Sequence, residues 1–226
     1  MELSVILPVH NQKLQIKRNF NRILSYLNKI GAEVIVVENG STDGSLGELK
    51  KLSKRYGFKL VVLKESGRGL ALKKGIERAR GTAIGYLDTD LGVPLRYIAN
   101  AQKELRRSDL VIGNRYINGA KAERTATRWL ASKAYIALVR FAYGSKITDF
   151  QCGFKFFMAD FAKAASKKIS DNRWFFDTKL ILIAEHEGKK ICELPVSFSE
   201  KRWSTVRIND PLYFIKCIIK DKIQNT

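Results

Sequence analysis

Residues 33–44 read Glu33-Val34-Ile35-Val36-Val37-Glu38-Asn39-Gly40-Ser41-Thr42-Asp43-Gly44. The run from Val34 to Val37 is continuously apolar, as strands covered on both faces of a parallel sheet are. The polar turn after it ends in Asp43, and Asp43 or Ser45 can cap a helix running to Tyr56. The same unit recurs on either side. Upstream, Leu3 to Val9 reads as a buried strand, and Lys17 to Ile30 as a helix through Phe20, Ile23, Leu24 and Leu27, closed by Gly31. Downstream, strands are expected at Lys59 to Leu63, Ala83 to Leu87 and Leu110 to Gly113. Helices are expected from Leu70 to Ala79 and after Pro94. This alternation predicts an α/β fold: an open, mostly parallel sheet with helices on both faces. Ligands of such sheets bind beyond the carboxyl ends of the strands. Pro8-Val9-His10-Asn11, Glu38-Asn39-Gly40-Ser41, Lys64-Glu65-Ser66-Gly67 and Asp88-Thr89-Asp90 therefore share one rim.

Composition narrows the function classes. The 226 residues fit one domain, with 45% hydrophobic and 28% charged residues. The 41 Lys and Arg against 22 Asp and Glu leave a net charge of +19, which implies an anionic partner: nucleic acid, an anionic membrane or a phosphorylated substrate. Cys152, Cys192 and Cys217 have no metal-ligand spacing and are too few for a disulfide framework, which points to a reducing compartment. Neither a signal peptide nor an apolar run of transmembrane length is expected. No RNA-binding pattern accompanies the charge, so nucleic acid is not the expected partner.

Asp88-Thr89-Asp90 is the sharpest chemical feature. Two carboxylates one residue apart at a strand end can hold Mg²⁺ or Mn²⁺ against a diphosphate. A solvated turn is the alternative, and the buried strand before it favours the metal. Glu38 to Gly44 offers donors and acceptors to a nucleoside, although a capped turn explains the same residues. Gly67-Arg68-Gly69 would let the backbone approach a ligand, with Arg68 meeting a phosphate.

Taken together, Ile6-Leu7-Pro8-Val9-His10-Asn11, Val36 to Gly44, Gly67-Arg68-Gly69 and Asp88-Thr89-Asp90 resemble family 2 glycosyltransferases of the GT-A fold. Three further strings, Gly113-Asn114-Arg115-Tyr116, Thr148-Asp149-Phe150-Gln151-Cys152-Gly153-Phe154-Lys155 and Trp174 to Leu180, resemble its dolichyl-phosphate (polyprenyl-phosphate) mannose and glucose synthase branch. The resemblance implies that Asp88 and Asp90 hold the metal, with Thr89 between them at the diphosphate. It implies that Pro8, Val9, Glu38 and Asn39 line the nucleoside pocket, with Arg68 nearby. Arg115 would approach a donor or acceptor phosphate, and Asp149 and Gln151 the reacting sugar. Asp177 would position the sugar or a basic residue. The chain departs from the family at His10-Asn11-Gln12, where Tyr-Asn-Glu is common, and at Glu38-Asn39, where two aspartates are common. Gly92 stands where mannose synthases commonly have Gln. Ser204-Thr205-Val206 replaces Ser-Lys-Val, with Arg202 or Arg207 available to compensate.

The second half is more basic. Residues 115–146 carry seven Lys or Arg and one acid, mostly on a helix expected from Thr125 to Tyr143. Arg124, Arg128 and Ser132 lie at i, i+4 and i+8, and on a helix would share a face able to hold a phosphate. A solvated basic face is the alternative; the resemblance favours the phosphate. Trp129, Leu130, Ile136, Leu138 and Phe141, with Tyr213, Phe214, Ile215, Ile218 and Ile219, could rest in a membrane surface, or for about half of them pack in the core.

The expected protein is one GT-A catalytic domain over residues 1–226. Residues 1–113 would form the nucleotide-sugar half and 114–226 the acceptor and membrane-facing half. It would be an inverting, metal-dependent enzyme, cytoplasmic and peripheral on the cytosolic face of a membrane. It would move glucose or mannose from UDP-glucose or GDP-mannose to a polyprenyl phosphate, alone or with a separate membrane-anchoring protein. A soluble or glycan acceptor on the same fold is the alternative.

Overall fold

The computed structural model describes residues 2–199 and 211–224. Strands β1 (Leu3–Val9), β2 (Glu33–Asn39), β3 (Lys59–Leu63), β4 (Ala83–Leu87) and β5 (Leu110–Asn114) alternate with helices α1 (Lys13–Lys29), α2 (Ser45–Tyr56), α3 (Arg68–Arg78) and α4 (Tyr97–Glu104). The later half adds β6 (Lys121–Glu123), α5 (Ala126–Tyr143), β7 (Phe154–Met158), α6 (Ala159–Lys168), α7 (Phe175–His186), β8 (Ile191–Pro195), β9 (Ser197–Ser199) and α8 (Pro211–Gln224).

The main sheet has seven strands in the order β3-β2-β1-β4-β7-β5-β8. All its pairings are parallel except those of β7, which runs antiparallel between β4 and β5. Periodicity from Leu3 to Gly113 finds β1 to β5 but neither β8 nor the strand that separates β4 from β5. The inserted strand, Phe-Lys-Phe-Phe-Met, carries a lysine at its second position and so hides its β character. Helix α7 hides for a different reason: it is buried almost all round, so it has no amphipathic stripe.

Alternate residues of each strand feed two cores. Ile6, Ile35, Ile84, Tyr86 and Ile112 pack beneath α3, α5, α6 and α7. Val5, Leu7, Val36 and Val111 pack beneath α1, α2 and α4. Helices thus cover both faces, as expected. Helix α1 starts at Lys13, one turn before its apolar periodicity. Its first amides are satisfied from a distance: Gln12 N donates to Ser45 Oγ at 2.9 Å and Lys13 N to Asp43 Oδ2 at 2.9 Å. The two residues named as candidate caps of α2 thus serve the start of α1; α2 itself has Gly44 at its N-cap, and only Asp43 reaches it, its Oδ1 accepting from Ser45 N at 2.9 Å.

Candidate active site

From β1 the chain moves outward through β2 and β3, then returns to place β4 on the other side of β1. The carboxyl ends of β1 and β4 are therefore a topological switch point, where sheets of this kind bind ligands. Asp88-Thr89-Asp90 leaves β4 at that point. Asp88 N donates to Gly153 O at 3.0 Å. Gly153 has no alternative: a Cβ there would lie 1.8 Å from Asp88 Oδ2. Asp90 Oδ1 accepts from Gly92 N at 2.9 Å, and Thr89 Oγ1 donates to Gln12 Oε1 at 2.5 Å. Leu91 turns the chain at φ 57°, and Asn11, on the same rim, at φ 50°. Both lie in the left-handed region that side chains seldom adopt, and such backbone concentrates at functional sites.

Asp88 and Asp90 line a shallow pocket with Leu87, Gly153, Phe154 and Phe198. Among the described residues no three His, Cys, Asp or Glu side chains cluster as a self-sufficient metal cage. Two carboxylates at an open rim instead suit a hard ion that takes its remaining ligands from water and phosphate oxygens. Gly92 could not carry a longer side chain without movement, since a Cβ there would sit 2.6 Å from the Phe198 ring.

Beneath the carboxylates lies a charged chain of contacts. Arg68 Nη1 donates to Asp88 Oδ1 at 2.7 Å, and Arg68 Nε to Asp177 Oδ2 at 3.1 Å. The second oxygen of Asp177 accepts from Tyr86 Oη at 2.5 Å and from Lys155 Nζ at 3.0 Å. Lys155 is fully buried and also donates to Cys152 O at 2.7 Å. The guanidinium of Arg68 lies 5.3 Å from the centre of the Trp174 ring and 5.7 Å from that of Tyr86. Burial raises the Asp177 pKa, but Lys155 and Arg68, with the Tyr86 hydroxyl, outweigh it and hold the carboxyl below its usual range. Burial alone would lower the Arg68 pKa; Asp88 and Asp177 raise it above the ordinary value. Asp177 is thus bonded to two basic side chains, Arg68 and Lys155. Gly67 and Gly69, expected to admit a ligand, instead admit the 172–173 backbone: a Cβ at Gly67 would lie 2.5 Å from Asn172 O, and one at Gly69 2.9 Å from Arg173 O.

The residues expected to line a nucleoside pocket are mostly buried. Pro8 and Val9 end β1 inside the sheet. Glu38 Oε1 accepts from Ser41 N at 2.6 Å and Asn39 Oδ1 from Gly67 N at 2.8 Å, so both side chains shape loops. On the other side, Arg115 and Asp149 form a buried bidentate pair, Nε to Oδ2 at 2.7 Å and Nη2 to Oδ1 at 2.8 Å. Gln151 N also donates to Asp149 Oδ1, at 3.2 Å, and Gln151 Nε2 donates to Thr178 Oγ1 at 2.9 Å. Cys152 sits beside this pair; burial, with Asp149 adding, pushes its thiol up to about 12.

Arg124 is not on the helix, which begins at Ala126; Thr125, with extended backbone, separates them. The expected i, i+4, i+8 face is corrected accordingly. Arg124 still meets Ser132, Nη1 to Oγ at 2.9 Å, because the extended residue folds the chain back along the first turns of α5. It also donates to Tyr116 Oη. Arg128 lies one turn before Ser132 on α5. Arg202, Arg207 and Ser204-Thr205-Val206 lie outside the described residues. Sequence reasoning assigned no role to Lys155, Tyr86 or Glu193. Glu193 on β8 accepts from Thr148 Oγ1 at 2.9 Å and from Asn114, tying together the loops that carry Arg115 and Asp149. A lone lysine among phenylalanines, and a lone glutamate in Ile191-Cys192-Glu193-Leu194, were the available signals.

The fold has counterparts among known proteins. In glucosyl-3-phosphoglycerate synthase from Mycobacterium tuberculosis, solved with Mn²⁺, UDP and glucosyl-3-phosphoglycerate, the match has a TM-score of 0.69 at 14% identity. It covers 99% of this chain and 79% of that one, and it shows the fold, GT-A. By sequence, the chain is 32% identical to the glycosyltransferase AglD of Haloferax volcanii over 89% of its own length, but it spans only 34% of AglD. It is 30% identical to a dolichyl-phosphate beta-glucosyltransferase of Drosophila melanogaster, over 91% of this chain and 68% of that protein. It is 29% identical to a dolichol-phosphate mannosyltransferase of Pyrococcus furiosus, over 88% of this chain and 56% of that protein. The family model described as glycosyl transferase family 2 matches residues 4–165, well over half of the chain, and the protein belongs to that family.

Proposed function

We propose that this glycosyltransferase moves a hexose, glucose or mannose, from a nucleotide sugar to a polyprenyl (dolichyl) phosphate with inversion at the sugar. The observation that carries this reading is the reach of the similarity. Relatives named for dolichyl-phosphate sugar transfer match about nine-tenths of the chain, including the half that would meet the acceptor.

The site residues fit that chemistry. A lipid phosphate is largely dianionic near neutral pH and is its own nucleophile, so the protein has to supply charge and alignment rather than a base. The phosphate oxygen forms the new bond to the anomeric carbon on the face opposite the diphosphate. The old carbon–oxygen bond breaks as that bond forms, and its electron pair stays on the departing diphosphate oxygen. Asp88 and Asp90 would hold Mg²⁺ or Mn²⁺, which when bound neutralises charge on the leaving group. Arg68, beside Asp88, faces the same diphosphate. Arg124, Arg128 and Ser132 would receive the acceptor phosphate, while Arg115, locked by Asp149, shapes the floor between the two. Glu38, Asn39, Pro8 and Val9 would form the nucleoside wall.

A membrane would deliver the acceptor. Helices α5 and α8 run side by side: Tyr135 packs on Phe214 with ring centres 4.5 Å apart, and Tyr143 Oη donates to Asp221 Oδ2 at 2.9 Å. Leu212, Ile215, Ile219 and Ile223 form one exposed apolar stripe on α8, beside exposed Lys216 and Lys220. Trp129, Leu130 and Phe141 are exposed on α5. Ile136 and Ile218 pack in the core instead. Among the described residues no helix is long and apolar enough to cross a membrane. The stripe suits peripheral attachment to an anionic leaflet, which we place at the cytosolic face, alone or through an anchoring protein.

The test incubates the protein with Mg²⁺ or Mn²⁺, a short polyprenyl phosphate, and labelled UDP-glucose or GDP-mannose in parallel. Label should enter the organic phase from one donor, and Asp90→Ala should abolish transfer while leaving the thermal unfolding midpoint within a few degrees. Label transferred only to a water-soluble acceptor would refute the lipid reading. Near-normal turnover by Asp90→Ala would remove the carboxylate from the metal site.

A further inference from the structure

The contacts around Arg68 point to a role that reaches past substrate binding. We infer that Arg68 is a resident counter-cation of the Asp88 carboxylate, which makes divalent metal and nucleoside diphosphate bind as a pair rather than independently. The inference rests on the proposed donor site and specifies how that site fills.

Three observations carry it. First, the guanidinium is fixed from below: Asp177 holds its Nε at 3.1 Å, and Trp174 and Tyr86 flank its planar group. Its side chain is 11% exposed. Second, its outer edge bonds Asp88 Oδ1 at 2.7 Å, whereas the Asp88 side chain itself remains 43% exposed at the rim. The oxygen that would greet an ion is thus already engaged by a positive charge. Third, the charge set is balanced. Arg68 and Lys155 balance Asp88 and Asp177, and Lys155 is bonded to Asp177 at 3.0 Å, so Asp177 cannot shed a cation cheaply.

A divalent ion arriving alone would place two further positive charges beside a guanidinium that has nowhere to go. The two cations repel each other and compete for one carboxylate. A diphosphate changes the balance, because its oxygens can take up Arg68 and the ion together. Each ligand then raises the affinity for the other by the same factor, as reciprocal linkage requires.

The experiment measures Mn²⁺ affinity by titration calorimetry and by the electron paramagnetic resonance signal of the free ion. Wild type, Arg68→Met and Arg68→Lys are compared, each alone and with saturating UDP or GDP. In wild type, nucleotide should tighten Mn²⁺ binding. Arg68→Met should bind Mn²⁺ alone about tenfold more tightly than wild type, and its nucleotide-linked enhancement should shrink by a similar factor. Arg68→Lys, which keeps the charge, should stay near wild type. Arg68→Met leaves Asp177 paired with Lys155 and Tyr86, so it should fold; Arg68→Gln gives the same readout should the Met variant fail to fold. Unchanged or weaker Mn²⁺ binding without nucleotide in the neutral variants, with wild-type enhancement, would overturn the inference and leave the donor reading standing. Failure of wild type to bind either nucleotide with Mn²⁺ would overturn both.

Discussion

A single hydrogen atom decides whether Asp88 can sit where it does. Gly153 packs its Cα against the carboxylate, and any Cβ there would overlap Asp88 Oδ2. We expect Gly153→Ala to push the Asp88 side chain or its strand end outward. Its effect should fall on metal–nucleotide affinity and turnover, with at least about a tenfold loss in kcat/KM, equivalent to about 1.4 kcal/mol. Thermal unfolding measured alongside should change little, because the loop is at a rim. A large drop in stability with full activity per folded molecule would contradict this. At the same scale, the rim position of Asp88 and Asp90 was legible because they directly follow the buried strand β4. Lys155 was legible only as an oddity. Its meaning depends on Asp177, distant in sequence and brought to it by the fold.

The elements show why local patterns find a helix more reliably than its ends. The apolar stripe of α1 predicts its body, but its first turn depends on Ser45 and Asp43 across the rim. Asp43 serves two sites at once, since its Oδ1 accepts from Ser45 N at 2.9 Å within its own turn. Asp43→Ala should therefore cost more than one ordinary cap, about 1–2 kcal/mol, in urea unfolding. A loss of only a few tenths would show that water replaces it at both helix ends. Strand β7 escaped periodicity because Lys155 interrupts its apolar run, and helix α7 because it is enclosed by protein. Enclosure removes the polar face that makes a period visible. Helix α5 was foreseen almost to the residue, yet Arg124 fell just outside it, and helical spacing therefore gave the right neighbours for the wrong geometric reason.

At the scale of the whole molecule, the net charge of +19 and the apolar stripe on α8 point the same way. Binding to vesicles containing an anionic lipid should exceed binding to neutral vesicles and should weaken as salt is raised through the range where screening is strong. Replacing Leu212, Ile219 and Ile223 together by Ser should weaken vesicle binding by at least about tenfold without lowering the melting temperature, since all three are exposed. Sedimentation of protein with vesicles measures both. Equal binding by the variant would show that charge alone attaches the protein. The sequence by itself determined the α/β class, the rim formed by the carboxyl ends of the strands and the two carboxylates on it, because buried parallel strands and their polar ends are written in contiguous residues. Only the tertiary structure decided that β7 enters the sheet against its direction, that the Gly67 and Gly69 loop is packed by the chain's own 172–173 backbone, and that Asp177 gathers Arg68, Tyr86 and Lys155 beneath Asp88. Those pairings join residues up to about a hundred positions apart; they follow from how the whole chain packs, with each buried charge paired because an unpaired one is costly, and no local pattern of residues encodes that.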